Sequence, residues 1–451
     1  MRSVLFVSCL IIVACAIVLI SCGGGQAGTV NVSMSDPTTC AAPSGPYRHV
    51  YVTVSDVLIH QSASASANDS GWHDLTPKLK DNPVQVDLLG VSQQCFLAML
   101  GSTGIQPGHY QQVRVILASN NATVANNKCE SLANCITLTN DPLNTPIPLQ
   151  LSSESQTGIK IPSGQLAGGE FVIGSGETKD LNIDFNACAS LVLQGNGNYR
   201  LKPVLHAGEV STQTTATTIT GTIIDSSTLQ AVAGGNTIVA LEQNDGNGID
   251  RVIMEATAAS NGAFSFCPVP AGTYDLVAVA VNGSGNTYSA TVITGVKPGD
   301  SVGTIPLTNA GLPSSITGQI TSVGNSGAVS IDLSIGALQS AGSNLLVTIP
   351  LAQQSAATAS LTTASCGNID CANYTLSVPG ANPAVAAFTT MNPVPATPAG
   401  PPVNYIIDAQ AFVPGMAGQQ DCTSPDLQTS ALTVTAGAST PAPDINFAGC
   451  Q

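Results

Sequence analysis

The chain has 451 residues, only 9% of them charged, and a formal net charge of −15. An acidic balance of that size argues against nucleic acid or anionic lipid headgroups as partners. A 43% hydrophobic content with few charges excludes a solvated, disordered chain and favours packed strands joined by Gly-, Ser- and Asn-rich turns.

The chain starts with basic Met1-Arg2 and an apolar run from Val4 to Ile20. At about 17 residues this run is almost long enough to span a bilayer as a helix. No basic stop-transfer cluster follows it, so the pattern reads as a secretory leader outside the fold. Leu19-Ile20-Ser21-Cys22 resembles the lipobox of bacterial lipoproteins. The resemblance implies removal of residues 1–21, lipid on Cys22, and membrane attachment through that lipid. Gly23 to Gly28 then serves as a flexible spacer, residues 22–28 in all. Gly23, rather than Asp, after the cysteine leans towards the outer membrane or cell surface over the inner membrane. About 430 residues remain, enough for two to four domains.

A first module is expected over 29–210. Thr29 to Met34 alternates as an opening strand, and Arg48 to Ser55 puts Val50, Val52 and Val54 on one face. Asp56 then falls on that face, so a bulge is expected near Ser55. Strands are also read at Gly71 to Leu75, Gln85 to Leu89, Gln112 to Leu117, Glu170 to Gly174, Leu181 to Phe185 and Tyr199 to His206. One short helix is expected over Val91 to Leu100. The ordered set Ser-Asp-Pro, Val-Tyr-Val-Thr-Val-x-Asp-Val-x-Ile-His, Trp-x-Asp-Leu, Val-Asp-Leu-Leu, Pro-Gly-x-Tyr, Ile-Asp-Phe and Leu-Lys-Pro-Val resembles the domain-of-unknown-function 4382 family. That resemblance implies an architecture and carries over no catalytic residue.

Residues 211–218 read as a polar link and 219–308 as a β-sandwich. Its signals are Ile219-Thr-Gly-Thr-Ile, Asn261-Gly-Ala-Phe-Ser-Phe266 and Pro270-Ala-Gly-Thr-Tyr-Asp-Leu276, with Phe264 and Phe266 facing the core. These motifs resemble the carboxypeptidase regulatory-like, transthyretin-like module, which implies a non-catalytic spacer, stabiliser or binding unit. Residues 313–451 contain no Lys or Arg. Ser315-Ile-Thr-Gly-Gln-Ile320 repeats the preceding opening, and Tyr374-Thr-Leu-Ser-Val378 echoes the Tyr274 strand. A second, diverged sandwich is expected there. The fold class is thus mainly β: tandem β-sandwich modules behind a cleaved leader.

Ten cysteines follow Cys22, an even number that suits disulfides outside a reducing cytosol. Close spacing favours Cys129 with Cys135 and Cys366 with Cys371. Cys422 with Cys450 closes the tail, Cys40 with Cys95 is a further pairing, and Cys188 and Cys267 remain over. No Cys-x-x-Cys points to bound metal. Asp245, Asn247 and Asp250 offer oxygen donors for calcium among glycines, but without EF-hand spacing, so a bare hairpin turn is the competing reading. The five histidines, His49, His60, His73, His109 and His206, form no metal-ligand spacing. A metal-dependent hydrolase in 29–210 requires several of them to converge with Asp36 or Asp184. Trp72 is the lone tryptophan and the candidate sugar platform. The function expected is a non-catalytic, lipid-anchored envelope protein that binds extracellular polysaccharide or another envelope protein, or acts as a spacer. An accessory role in a secretion or uptake complex is the alternative.

Overall fold

The computed structural model describes residues 26–35, 47–90, 97–151, 155, 158–161, 163–193, 198–201, 205–210, 218–234, 236–322, 332–342, 345–350, 370–396, 400–413, 422–423 and 427–447. Nearly all regular structure among them is strand, gathered around three hydrophobic clusters.

The first body contains β1 (Gly28–Ser35), β2 (Tyr47–His60), β3 (Ala98–Ile105), β4 (Gln112–Leu117), β5 (Thr178–Phe185) and β6 (Leu205–Glu209). One sheet runs β6-β5-β1-β3, with β1 parallel to β5 and antiparallel to β3. The period-two pattern read from the sequence puts Val30, Val32, Met34, Leu181, Ile183 and Phe185 into the core, all 0% exposed. A second sheet is built on β2, which pairs with β4 and with the short strand Cys135–Leu138. The register of β2 shifts between Val54 and Asp56, so the expected bulge is present. It lets Asp56 and Val57 both turn inward after Val54.

The helix expected over 91–100 is corrected at its C-terminal end. Residues 98–100 begin β3, paired to Met34 and Ser33 of β1, with Leu100 buried and Met99 exposed. Pairing to an otherwise open edge of β1 outweighs the helical propensity of a short apolar run. Residues 91–96 lie outside the described set. The short α-helix of this body is instead Ala187–Ser190, directly after β5.

The second body holds β7 (Ile219–Asp225), β8 (Asn236–Asn244), β9 (Ile249–Thr257), β10 (Ala263–Phe266), β11 (Tyr274–Val281), β12 (Thr291–Val296) and β13 (Ser301–Leu307). Sheet β10-β7-β13 faces the larger sheet across a core that includes Phe264, Phe266, Val239, Leu241 and Leu276. The Tyr274 hydroxyl donates to the Pro270 carbonyl at 2.8 Å and pins the turn before β11.

In the third body are β14 (Ser314–Ser322), β15 (Asp332–Ser340), β16 (Leu346–Thr348), β17 (Asp370–Val378), β18 (Ala384–Ala387), β19 (Val403–Val413), β20 (Ser439–Pro441) and β21 (Ile445–Phe447). Its pairing reproduces that of the second body. The opening strand is antiparallel to one later strand (β7 to β10, β14 to β17) and parallel to the last ones (β7 to β13, β14 to β20 and β21). This register corrects one equivalence drawn from the sequence. Tyr374 sits opposite Gly318 as Phe264 sits opposite Gly221, so its counterpart is Phe264 rather than Tyr274. Tyr405, whose hydroxyl donates to the Pro379 carbonyl at 2.7 Å, takes the place of Tyr274. The glycines are required: a Cβ on Gly221 would lie 2.6 Å from the Phe264 ring, and one on Gly318 would lie 2.5 Å from Cζ of Tyr374.

The second and third bodies are fused rather than strung. β9 runs parallel to β16, β12 runs parallel to β18, and one sheet continues through both bodies. Ile238, Val277 and Val279 of the second body belong to the cluster of the third. Both faces of β8 and β11 are therefore buried, which is why they read Ile-Val-Ala-Leu and Leu-Val-Ala-Val-Ala without polar alternation.

Candidate functional site

The most unusual chemistry lies on the face of the β8–β9–β11 sheet that turns towards the third body. In antiparallel strands, directly opposed residues share a face. Ile238 opposes Val279, Ala240 opposes Val277 and Glu255, Glu242 opposes Asp275, and Asn244 opposes Asp250. Along one face, then, an apolar half gives way to four carboxyls. Glu242 is 0% exposed and Asp250 2%. Glu242 Oε2 accepts from the Thr348 amide of β16 at 2.9 Å, while its Oε1 is buried without a hydrogen-bond partner among the described residues. The Thr348 hydroxyl donates to the Asp250 carbonyl at 2.7 Å.

Burial, opposed in part by the Thr348 amide and reinforced by Asp250, Asp275 and Glu255, holds Glu242 well above the usual carboxylate range. Burial and the Asp275 carboxyl push Asp250 up to about 7, and burial takes Glu255 to about 7. Glu255 still meets solvent along part of its surface. The first body adds a fifth acid. Asp184 of β5 is 3% exposed, neither of its oxygens has a hydrogen-bond partner among the described residues, and burial followed by the Glu255 charge raises it strongly. His206 of β6 opposes Asp184 in register and is lowered to about 4 by burial. Both stand on the polar side of the β1 sheet, beyond a ladder in which Asn31 donates to Asp180 and Asn182 donates to Ser35, each at 2.7 Å.

At the edge of this region Arg251 ties the two fused bodies. Its guanidinium pairs with Asp408 of β19 and donates from Nε to Asp245 at 3.2 Å. Gln428 completes the Asp408 shell at 2.9 Å.

The residues singled out in the sequence are placed as follows. Trp72 is half-buried: its indole N–H donates to the Ser66 carbonyl at 2.8 Å, and the buried Arg114 guanidinium lies 4.9 Å from its ring centroid. One ring face and the polar tip thus serve the 61–70 loop. Asp245 Oδ1 accepts from the Asn247 amide at 2.8 Å and the Ile249 amide at 3.3 Å, and its other oxygen meets Arg251. Asp250 turns instead to Asn244, so the three calcium candidates are divided between a turn and the carboxyl face. The histidines take separate partners: His49 pairs with Asp87 at 2.7 Å, His109 with Glu170 at 3.0 Å, His60 with the Ser70 carbonyl at 3.1 Å, and His73 stacks edge-on to Tyr110. Only His206 stands opposite Asp184. Among the described residues, no three His, Cys, Asp or Glu side chains converge as metal ligands.

Cys129 and Cys135 form the expected disulfide, and Cys267, left over in the sequence reading, is also disulfide-bonded. Cys22, Cys40, Cys95, Cys366 and Cys450, the side chains of Cys188, Cys371 and Cys422, and Asp36 lie outside the described residues.

Sequence reasoning did not single out Glu242, Glu255 or Asp275. The signal for Glu242 was present in Ile238-Val-Ala-Leu-Glu242, where the acid occupies the same period-two face as Ile238 and Ala240.

Residues 27–203 match the family described as Domain of unknown function (DUF4382). No curated protein matches the chain. Among solved structures, a protein described as an adhesin from Bacteroides ovatus is 10% identical, with 52% of this chain and 94% of that one covered and a TM-score of 0.17. The shaft pilin SpaA from Lactobacillus rhamnosus GG is 11% identical over 64% of this chain and 99% of the other, with a TM-score of 0.17. A protein described as carbohydrate-binding from Bacteroides uniformis is 14% identical over 47% and 97%, with a TM-score of 0.14. Scores this low transfer neither a partner nor an activity.

Proposed function

We propose that the chain is a membrane-tethered lipoprotein of the cell envelope, with a non-catalytic structural role, whose first body carries a stiff unit built from the second and third bodies. The observation that carries this reading is the fusion of the second and third bodies through two parallel strand pairings, a shared hydrophobic cluster and the Arg251–Asp408 ion pair. A shared core resists the relative motion that a linker permits. The second body is in turn attached to the first: the Gly168 amide donates to Gln243 at 2.8 Å, and the Ala271 amide donates to the Glu209 carbonyl at 3.3 Å. The lipobox-like Leu19-Ile20-Ser21-Cys22 lies shortly before β1, so a lipid on Cys22 would fix the first body nearest the bilayer.

Two measurements test this reading. Fractionation of cells carrying the full chain should find it in the membrane fraction, and Cys22→Ala should release it or leave it unprocessed. Processing together with unchanged membrane retention of the variant would defeat the tether. Solution scattering of the full chain should fit one rigid arrangement of the fused bodies. A curve that requires independent motion of residues 219–308 and 314–447 would defeat the support.

A further inference from the structure

We infer that the carboxyl face between the second and third bodies is a proton-controlled lock, closed in mildly acidic surroundings and loosened in mildly alkaline ones.

Register places Glu242 opposite Asp275 and Asn244 opposite Asp250, so three carboxyls crowd one face where Glu242 is 0% and Asp250 2% exposed. Glu242, fully buried between Asp250, Asp275 and β16, has the Thr348 amide on one oxygen and no described partner on the other. β8 contributes Glu242 and Asn244, β9 contributes Asp250 and Glu255, and β11 contributes Asp275, whose Oδ1 also accepts from the Gly295 amide at 2.9 Å. From the turn before β9, Asp245 adds further negative charge to the surroundings of Asp250. β16 presents the Thr348 amide and hydroxyl, while β5 and β6 of the first body bring Asp184 and His206. The basic group at the edge, Arg251, goes to Asp245 and Asp408. Burial is the largest influence on each of Glu242, Asp250, Glu255 and Asp184. Burial disfavours the charged form of each of these carboxyls, and protons remove that charge.

The direction follows from linkage. Asp250 and Glu255 each rise to about 7 in the folded chain, from 3.8 and 4.5. Their contribution to holding the joint is therefore complete below about pH 4 and is lost as the pH climbs through about 7. Glu242 acts in the same direction. Its hydrogen bond to Thr348 crosses the seam where β9 meets β16, so ionisation there places repulsive charge directly on the joint.

Hydrogen exchange on the full chain tests the lock. After correction for the chemical exchange rate, the amides of 249–250 and 346–348 should exchange at least about tenfold faster at pH 8.5 than at pH 5.5, one pKa unit being worth tenfold. The Gln112–Leu117 strand of the first body serves as an internal reference. Glu242→Gln and Asp250→Asn, which mimic the protonated groups, should each shrink that acceleration. Equal acceleration in the wild type and both variants, or equal acceleration in the reference strand, would overturn the inference. Infrared spectra of the wild type need no variant to fold: neutral carboxyl absorption should be present at pH 7 and weaker at pH 9, and its absence at pH 7 would overturn the inference as well.

Discussion

Arg251 offers the sharpest test of how the fused bodies are held. Its guanidinium spans from Asp245 in its own body to Asp408 in the next. The Arg251 side chain is 21% exposed and that of Asp408 only 6%, so Arg251→Ala leaves a nearly dry carboxylate with Gln428 as its remaining side-chain donor among the described residues. Removing one member of a buried pair costs about 3–5 kcal/mol. Partial exposure of the arginine screens the pair, so the low end applies, about 3 kcal/mol or roughly a hundredfold in the opening equilibrium. A double-mutant cycle with Asp408→Ala should return a coupling of about 2 kcal/mol, because the double variant no longer strands a charge. The assay is urea unfolding with two probes. Trp72, the lone tryptophan, reports the first body alone, whereas circular dichroism follows every strand. The variant should lower the midpoint of the dichroism transition and leave the Trp72 transition in place. Additive single effects, with coupling below about 0.5 kcal/mol, would refute an ion pair that holds the joint.

Other perturbations separate the bodies further. Phe266 is 0% exposed and lies 5.8 Å, centroid to centroid, from Phe264, so Phe266→Ala should cost about 3–5 kcal/mol in the second body by the same dichroism measurement. Removal of the Cys129–Cys135 disulfide by Cys129→Ala with Cys135→Ala, six residues apart in sequence, should cost about 2 kcal/mol and move the Trp72 transition instead. An unchanged Trp72 midpoint in that variant would mean that this disulfide contributes nothing to the first body.

The strands that line a core from one side were legible because their period is two: Val50, Val52 and Val54, or Leu181, Ile183 and Phe185, needed no partner to be recognised. The bulge at Ser55 was legible for the same reason, since Asp56 broke the alternation. Residues 98–100 were misread as the end of a helix because an apolar run that short fits either period, and the edge of β1 decided the matter from more than 60 residues away. The match of Tyr374 with Tyr274 rested on a local string, whereas register against Gly318 and Gly221 is a pairing property. The carboxyl face was hidden for a deeper reason. Glu242 and Asp275 are 33 positions apart, and each taken singly reads as an ordinary solvated acid near a strand end. Only the pairing of three strands, and the seating of β16 beside β9, turns four dispersed acids into one cluster with Glu242 and Asp250 buried in it.

The place of β1 has a mechanical consequence. It lies between β3 and β5, in register with Thr178 to Asp184 of the parallel strand from Thr29 to Ser35. A pull on residue 26, directed away from the body, runs along β1 and shears its hydrogen bonds on both sides together. The alternative, peeling a strand from a sheet edge, breaks such bonds one after another. The first body is thus braced against traction at the end where a bilayer anchor would apply it, and the strand beside the spacer acts as a clamp rather than a loose end.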